Sequence, residues 1–193
     1  MNWNNKKVLI TGGASFIGSH LSEQLVKKGA LVRVAENFSS GERKHLDNVD
    51  CEIIEGNLLD SDFCKRATKD IEVLFHLAAD HGGRGYIDSH QDECSTNMIL
   101  DGQVFRHAHQ NGVEKIVFAS SGCVYPTSEQ MDVTKEVFLH EKMVKPPYEA
   151  DDLYGWAKLM AELSLKAYHQ QLDLKTASCR YFTVYGPRCT ENH

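Results

Sequence analysis

At 193 residues the chain is long enough for one domain with a sizeable hydrophobic core, and its 41% hydrophobic and 25% charged residues give the balance of a soluble globular fold. The formal charge is −6, with acids and bases interspersed, which argues against a nucleic acid or a membrane surface as the main partner. No apolar run approaches the ~20 residues of a membrane span, and the opening Met-Asn-Trp-Asn-Asn-Lys-Lys has no signal-peptide core. The cysteines (Cys51, Cys64, Cys94, Cys123, Cys179 and Cys189) form no CxxC pair, so they read as reduced thiols of a cytoplasmic protein. The histidines show no zinc spacing. His107 and His109 are two apart on a helical stretch and point in different directions, so no metal site is expected.

Taken in chain order, short apolar runs alternate with helical stretches. The pattern predicts strands at Lys7–Thr11, Leu31–Ala35, Glu52–Ile54, Val73–His76, Lys115–Ser120 and Lys175–Cys179. Between them it predicts helices at Phe16–Lys28, Ser61–Lys69, Glu93–Asn111 and Leu153–Gln171. Val-Leu-Ile and Val-Leu-Phe-His-Leu-Ala are apolar without alternation, as strands buried on both faces are. The βαβ rhythm therefore predicts an α/β fold, a doubly wound parallel sheet of Rossmann type with helices on both faces and strand order 3-2-1-4-5-6. Tyr125–Asp152 holds Pro126, Pro146 and Pro147 and is expected to be a long loop near the active-site face. The chain's last residues, 186–193, carry no helical pattern, and the chain reads as one dinucleotide-binding domain, 1–193, cut off before a further lobe.

The first strand runs into Thr11-Gly12-Gly13-Ala14-Ser15-Phe16-Ile17-Gly18, which opens the first helix. In that context Gly12 permits a tight turn and Gly18 a close helix–strand contact, while free N–H groups at the helix start face a pyrophosphate. Ser15 occupies the middle glycine position, where its side chain crowds the phosphate or donates to it. Glu36 ends the second strand, 18 residues beyond Gly18, where an acid accepts from the ribose hydroxyls and repels a 2′-phosphate. It could also be an ordinary exposed glutamate, and Arg33 and Arg43 are near it. Asn57 follows the third strand, where an acid near the adenine would be expected.

Later motifs carry the chemistry. Ser121 and Cys123 lie in Ser-Ser-Gly-Cys-Val-Tyr-Pro at the end of the fifth strand; a strand-end cap and a packing cysteine are the plain alternatives. Tyr154 and Lys158 form YxxxK on one helix face. An ammonium beside a phenol of ordinary pKa ~10 favours the phenolate, the base that alcohol oxidation by a nicotinamide cofactor requires. A surface Tyr–Lys pair is the alternative.

With His-Leu-Ala-Ala (76–79), Ser120–Pro126, Tyr-Gly-Trp-Ala-Lys (154–158) and Arg-Tyr-Phe-Thr-Val-Tyr-Gly-Pro (180–187) in this order, the chain resembles the extended short-chain dehydrogenase/reductases that modify nucleotide sugars. Within them, Ser-Ser-Gly-Cys-Val-Tyr-Pro and the loop Asp80–Ile87 look most like the GDP-mannose 3,5-epimerases. The resemblance implies tightly held NAD in contact with Gly12, Ser15, Phe16, Ile17, Gly18, Glu36, Asn57, Leu58, Leu77, Ala78, Ala79, Tyr154 and Lys158. It implies Ser121, Tyr154 and Lys158 as catalytic residues, with Cys123 as an acid/base on sugar carbons. Substrate would touch Gly82, Gly83, Arg84 and Thr183, the last standing where the family signature has asparagine. A homodimer through Glu93–Asn111 and Leu153–Gln171 is implied as well.

Dehydratases and decarboxylases of that group usually carry an acid near the Cys123 position, and 4-epimerases a small or hydroxyl residue. A 4-epimerase or a dehydratase is the alternative within the group. A dinucleotide-binding module without turnover is the alternative outside it, against which the Ser121/Tyr154/Lys158 set speaks.

Overall fold

The computed structural model describes residues 2–131, 134 and 136–189. Six strands, β1 (Lys7–Thr11), β2 (Leu31–Glu36), β3 (Glu52–Glu55), β4 (Val73–His76), β5 (Lys115–Ser121) and β6 (Lys175–Tyr181), form one sheet. Its order is 3-2-1-4-5-6 and every pairing is parallel, as the βαβ rhythm predicts.

The inner strands are apolar on both sides because both sides are covered. Leu9, Leu74, Ile116 and Phe118 face one core, roofed by α2 (Ser61–Ala67), α5 (Asn97–Gln110) and α6 (Asp152–Leu172). Val8, Ile10, Val32 and Val34 face the other, beneath α1 (Phe16–Lys27) and the short turn Arg43–Leu46. A third cluster of Val124, Tyr125, Ala150 and Leu159 ties both ends of the long Tyr125–Asp152 loop to α6. That loop is irregular apart from single 3-10 turns, and residues 132, 133 and 135 lie outside the described residues. So does the end of the chain, 190–193, where no helix is expected.

Two expectations need correcting. The helix expected over Glu93–Asn111 is two, α4 (Gln91–Ser95) and α5, separated at Thr96. The Thr96 N–H bonds Glu93 O at 2.9 Å and its hydroxyl donates to the same carbonyl at 2.7 Å, tightening that turn. The adjacent Asn97 is buried and turned toward Asp80, accepting its N–H at 2.7 Å and donating to its carbonyl at 2.8 Å. The glycine-rich stretch Asp80–Ile87 is also not loop throughout. It enters α3 (Arg84–Ser89), steadied by an Arg84–Asp88 ion pair of 2.8 Å one turn apart. Among the described residues no helix is long and apolar enough to cross a membrane.

Candidate active site

At the C-terminal edge of the parallel strands the β1–α1 turn, the ends of β2 and β3 and the segment after β4 enclose a cleft. It is lined by Gly12, Ser15 and Glu36, by Asn57 and Leu58, and by Leu77, Ala78 and Ala79. Sequence reasoning singled out each of these, whereas Asn37, Ser39, His81 and Thr96 line the cleft without having been expected. The turn has no room for side chains at Gly12 and Gly18. Gly12 has φ +69°, and a Cβ there would meet Ala78 N at 3.0 Å; a Cβ on Gly18 would lie 2.0 Å from Gly12 O. Ser15 uses its hydroxyl on Gly12 O at 2.7 Å, closing the turn on itself. Phe16 and Ile17 follow on α1, with Phe16 edge-on to His20 at 6.0 Å.

Glu36 is buried, and its carboxylate accepts backbone N–H groups from Ala14 (3.2 Å), Asn37 (3.1 Å) and Phe38 (3.3 Å). The arginines near it are engaged elsewhere. Arg33 bonds Glu52 at 2.7 Å, and Arg43 pairs with Glu55 and covers the Phe38 ring. A pre-formed carboxylate beside a tight glycine turn fits the adenosine half of an NAD molecule.

At the end of β5 the chain turns through Gly122–Val124, and Ser121 Oγ accepts the Cys123 N–H at 3.1 Å. Asp151 N donates to Cys123 O at 2.9 Å, and a Cβ on Gly155 would come within 2.5 Å of that oxygen. This backbone contact between the β5 turn and the start of α6 brings Ser121 and Cys123 close to Tyr154, near enough for both to act on its phenol. Lys158 is 2% exposed, with Nζ 4.7 Å from the Phe118 ring centroid and 5.7 Å from that of Tyr154.

The electrostatics differ from expectation. Burial, reinforced by Cys123, Asp101 and Cys94, pushes the Tyr154 phenol above its ordinary value, and the nearby Ser121 hydroxyl draws it back only in part. Burial likewise pushes the Lys158 ammonium down, with Asp101 opposing. The protein's own groups therefore do not bring the tyrosine near neutrality, because the loss of water on burial dominates.

Arg84, on α3, pairs with Asp151, with Asp152 at 3.0 Å and with Asp88 at 2.8 Å, so it fastens α3 to the start of α6. Gly82 and Gly83 lead into α3, and a Cβ on Gly82 would strike Tyr86 at 2.6 Å. Thr183 is exposed in the segment after β6 and is not gathered with the others. A buried run of Thr11, His76 and Asp101 behind the cleft went unforeseen: Thr11 Oγ1 lies 2.7 Å from His76 Nδ1, and His76 Nε2 lies 2.9 Å from Asp101 Oδ1.

This order of strands, with a glycine turn on β1 and a serine and a tyrosine–lysine pair meeting beyond β5, defines a domain of the short-chain dehydrogenase/reductase type. The chain belongs to the NAD dependent epimerase/dehydratase family, which it matches over residues 8–193. It is 32% identical over 184 residues to the GDP-mannose 3,5-epimerase of Arabidopsis thaliana, covering 95% of this chain and 48% of that protein.

Among solved structures it resembles the UDP-N-acetylglucosamine 4-epimerase of Methanobrevibacter ruminantium with a TM-score of 0.83 and 31% identity, covering 98% of this chain and 59% of the other. The UDP-glucose 4-epimerase of Thermus thermophilus, solved in complex with NAD, gives a TM-score of 0.81 at 31% identity, covering 94% and 56%. The chain thus spans about half the length of the relatives it matches.

Proposed function

We propose that the chain is the cofactor-binding half of an NAD-dependent nucleotide-sugar epimerase that works through a transient 4-keto sugar, with Cys123 exchanging protons at C3 or C5. The observation that carries this reading is the meeting of Ser121, Cys123 and Tyr154 at one backbone contact beside the glycine-turn cleft. NAD, when bound, supplies a reversible hydride acceptor for the sugar C4 and a positive charge near the phenol.

Tyr154 takes the proton of the C4 hydroxyl, Lys158 supplies the neighbouring positive charge, and Ser121 holds the oxygen as it becomes a carbonyl. A 4-keto group acidifies the protons on C3 and C5, and Cys123 removes or returns one. Glu36 receives the adenosine ribose hydroxyls, and the turn from Gly12 to Gly18 receives the pyrophosphate. Asn57, Leu58, Leu77, Ala78 and Ala79 bound the adenine and nicotinamide ends, while Gly82, Gly83, Arg84 and Thr183 remain the proposed sugar contacts.

The likeness to the Arabidopsis enzyme and the cysteine together favour 3,5-epimerisation over simple inversion at C4. Residues exposed on α5 (Met98, Ile99) and α6 (Leu153, Trp156, Met160) support dimerisation through those helices, which sedimentation of a Trp156→Glu variant as dimer rather than monomer would refute.

The deciding experiment is turnover of the full-length protein in heavy water, with the product read by NMR. Deuterium at C3 or C5 that disappears in Cys123→Ser supports the reading, since a serine hydroxyl is a far weaker acid than a thiol of pKa ~8.5. Inversion at C4 without deuterium uptake makes the enzyme a 4-epimerase, and loss of water makes it a dehydratase. Tyr154→Phe is expected to abolish NADH formation in every case.

A further inference from the structure

Lys158 is buried among aromatic rings with no hydrogen bond to its ammonium among the described residues, and it is the one lysine or arginine buried there. A bare ammonium in such a slot loses its proton unless a negative charge answers it. Asp101 of α5 is 2% exposed, and its Oδ2 is buried without a partner. Its other oxygen, Oδ1, meets His76 Nε2 at 2.9 Å. The His76 ring is in turn 5.8 Å from the Phe118 ring that Lys158 covers, so the four side chains form one contiguous buried group.

The hydrogen bonds settle where the protons sit. Thr11 Oγ1 already accepts the N–H groups of Leu77 at 3.1 Å and Ala78 at 3.2 Å, so its own proton goes to His76 Nδ1. The histidine is then a neutral ring whose Nε2–H is donated to Asp101, and it brings no positive charge to the carboxylate. The cation left to answer Asp101 is Lys158.

We propose that Asp101 is a positioning residue for the reaction above: its carboxylate, pinned through His76 to Thr11, keeps Lys158 charged inside the aromatic slot. The inference rests on the catalytic reading of Tyr154 and Lys158. Tyr154 on α6 lies beside Lys158 and His76 on β4 beside Asp101, while Cys123 on the β5 turn and Cys94 on α4 act with Asp101 on the tyrosine, and none of them is a cation. Asp101 acts against the burial that lowers the lysine. The same hydrogen-bond run holds Leu77 and Ala78, which line the cofactor cleft, so the strand ends that shape the cleft and the lysine's counter-charge share one anchor.

The test uses the full-length protein carrying Asp101→Asn. The titration of Lys158 is followed through its side-chain carbon resonance, assigned with Lys158→Met, and turnover is measured across the same pH range. The proposal expects the Lys158 midpoint and the alkaline limb of kcat both to move down by at least about one pH unit, a tenfold loss of the charged form at a given pH.

A stability cycle supplies the second readout. Asp101→Asn and Lys158→Met each destabilise, while the double variant unfolds at a denaturant concentration no lower than the worse single one. Should Asp101→Asn fail to fold, Asp101→Ser retains a partner for His76 and repeats both measurements. An unmoved Lys158 titration together with additive losses overturns the proposal. A moved titration and a non-additive cycle in a protein without turnover uphold the pairing and sink the catalytic reading instead.

Discussion

Gly18→Ala is a severe test of the cofactor turn, because the added methyl has nowhere to go. Its Cβ would sit 2.0 Å from Gly12 O and 2.8 Å from Gly13 Cα, both of them backbone atoms of the turn. Relieving that contact means moving either α1 or the turn. Overpacking of this kind costs about 1–3 kcal/mol, and a clash against backbone belongs at the upper end. Alanine recovers about 1 kcal/mol of helix propensity over glycine. The net expectation is about 2 kcal/mol of destabilisation, a Tm lowered by about 4–8 °C for a domain of this size. If the turn shifts by the same strain, NAD affinity falls about 30-fold, the equivalent of 2 kcal/mol. The control is Gly85→Ala on α3, where an added Cβ meets nothing within 4 Å. Thermal unfolding and calorimetric NAD titration of the two variants provide the comparison. A Gly18→Ala protein with wild-type Tm and wild-type NAD affinity would refute both the packing argument and the role given to the turn.

Glu36, with its carboxylate set by three backbone N–H groups, is expected to make NAD bind more tightly than NADP; calorimetry giving equal or tighter NADP binding overturns the ribose assignment. The Tyr154 phenol, raised by burial, should ionise only above its ordinary value of ~10 in the cofactor-free protein. A phenol raised in the folded state lends stability that is complete below the unfolded value and lost as pH rises through the folded one. The wild type should therefore lose stability above pH ~10 more steeply than Tyr154→Phe, and a tyrosine transition near neutrality in alkaline difference spectra would contradict this. The 193 residues alone, about half the length of their relatives, should show no turnover of a nucleotide sugar, and robust steady-state activity from them would end that expectation.

The sheet was legible because its signals are local. Short strand candidates alternating with helical stretches marked all six strands to within two residues, as at β5, which extends one residue past Ser120, and β6, which extends two past Cys179. The cleft was legible for the same reason, since a glycine turn and an acid at a strand end are defined by their neighbours in sequence. Helix α3 was hidden by the glycines at its start, Gly82, Gly83 and Gly85, and the low helix propensity of Gly85 within it is offset by Arg84 pairing with Asp88 and with acids 67 and 68 residues further along. The break at Thr96 depends on a side chain reaching back to Glu93, which apolar periodicity does not register. The Thr11–His76–Asp101 run joins residues 65 and 25 apart, across two strands and a helix, and no spacing rule announces it. The direction of the Tyr154 and Lys158 shifts depends on how dry their surroundings are, a property of the packed structure.

The meeting of Cys123 O with Asp151 N–H and with the bare Cα of Gly155 also bears on how such a protein changes over generations. The turn that carries Ser121 and Cys123 is held to the helix that carries Tyr154 by main chain, so the side chain at 123 is free to vary without dislodging the other two. Selection can try one group after another at that position while the tyrosine and serine stay where they are. Gly155 pays for this latitude by being the residue that cannot change, and substitutions there are expected to vanish from functional lineages whatever reaction the neighbouring position has come to perform.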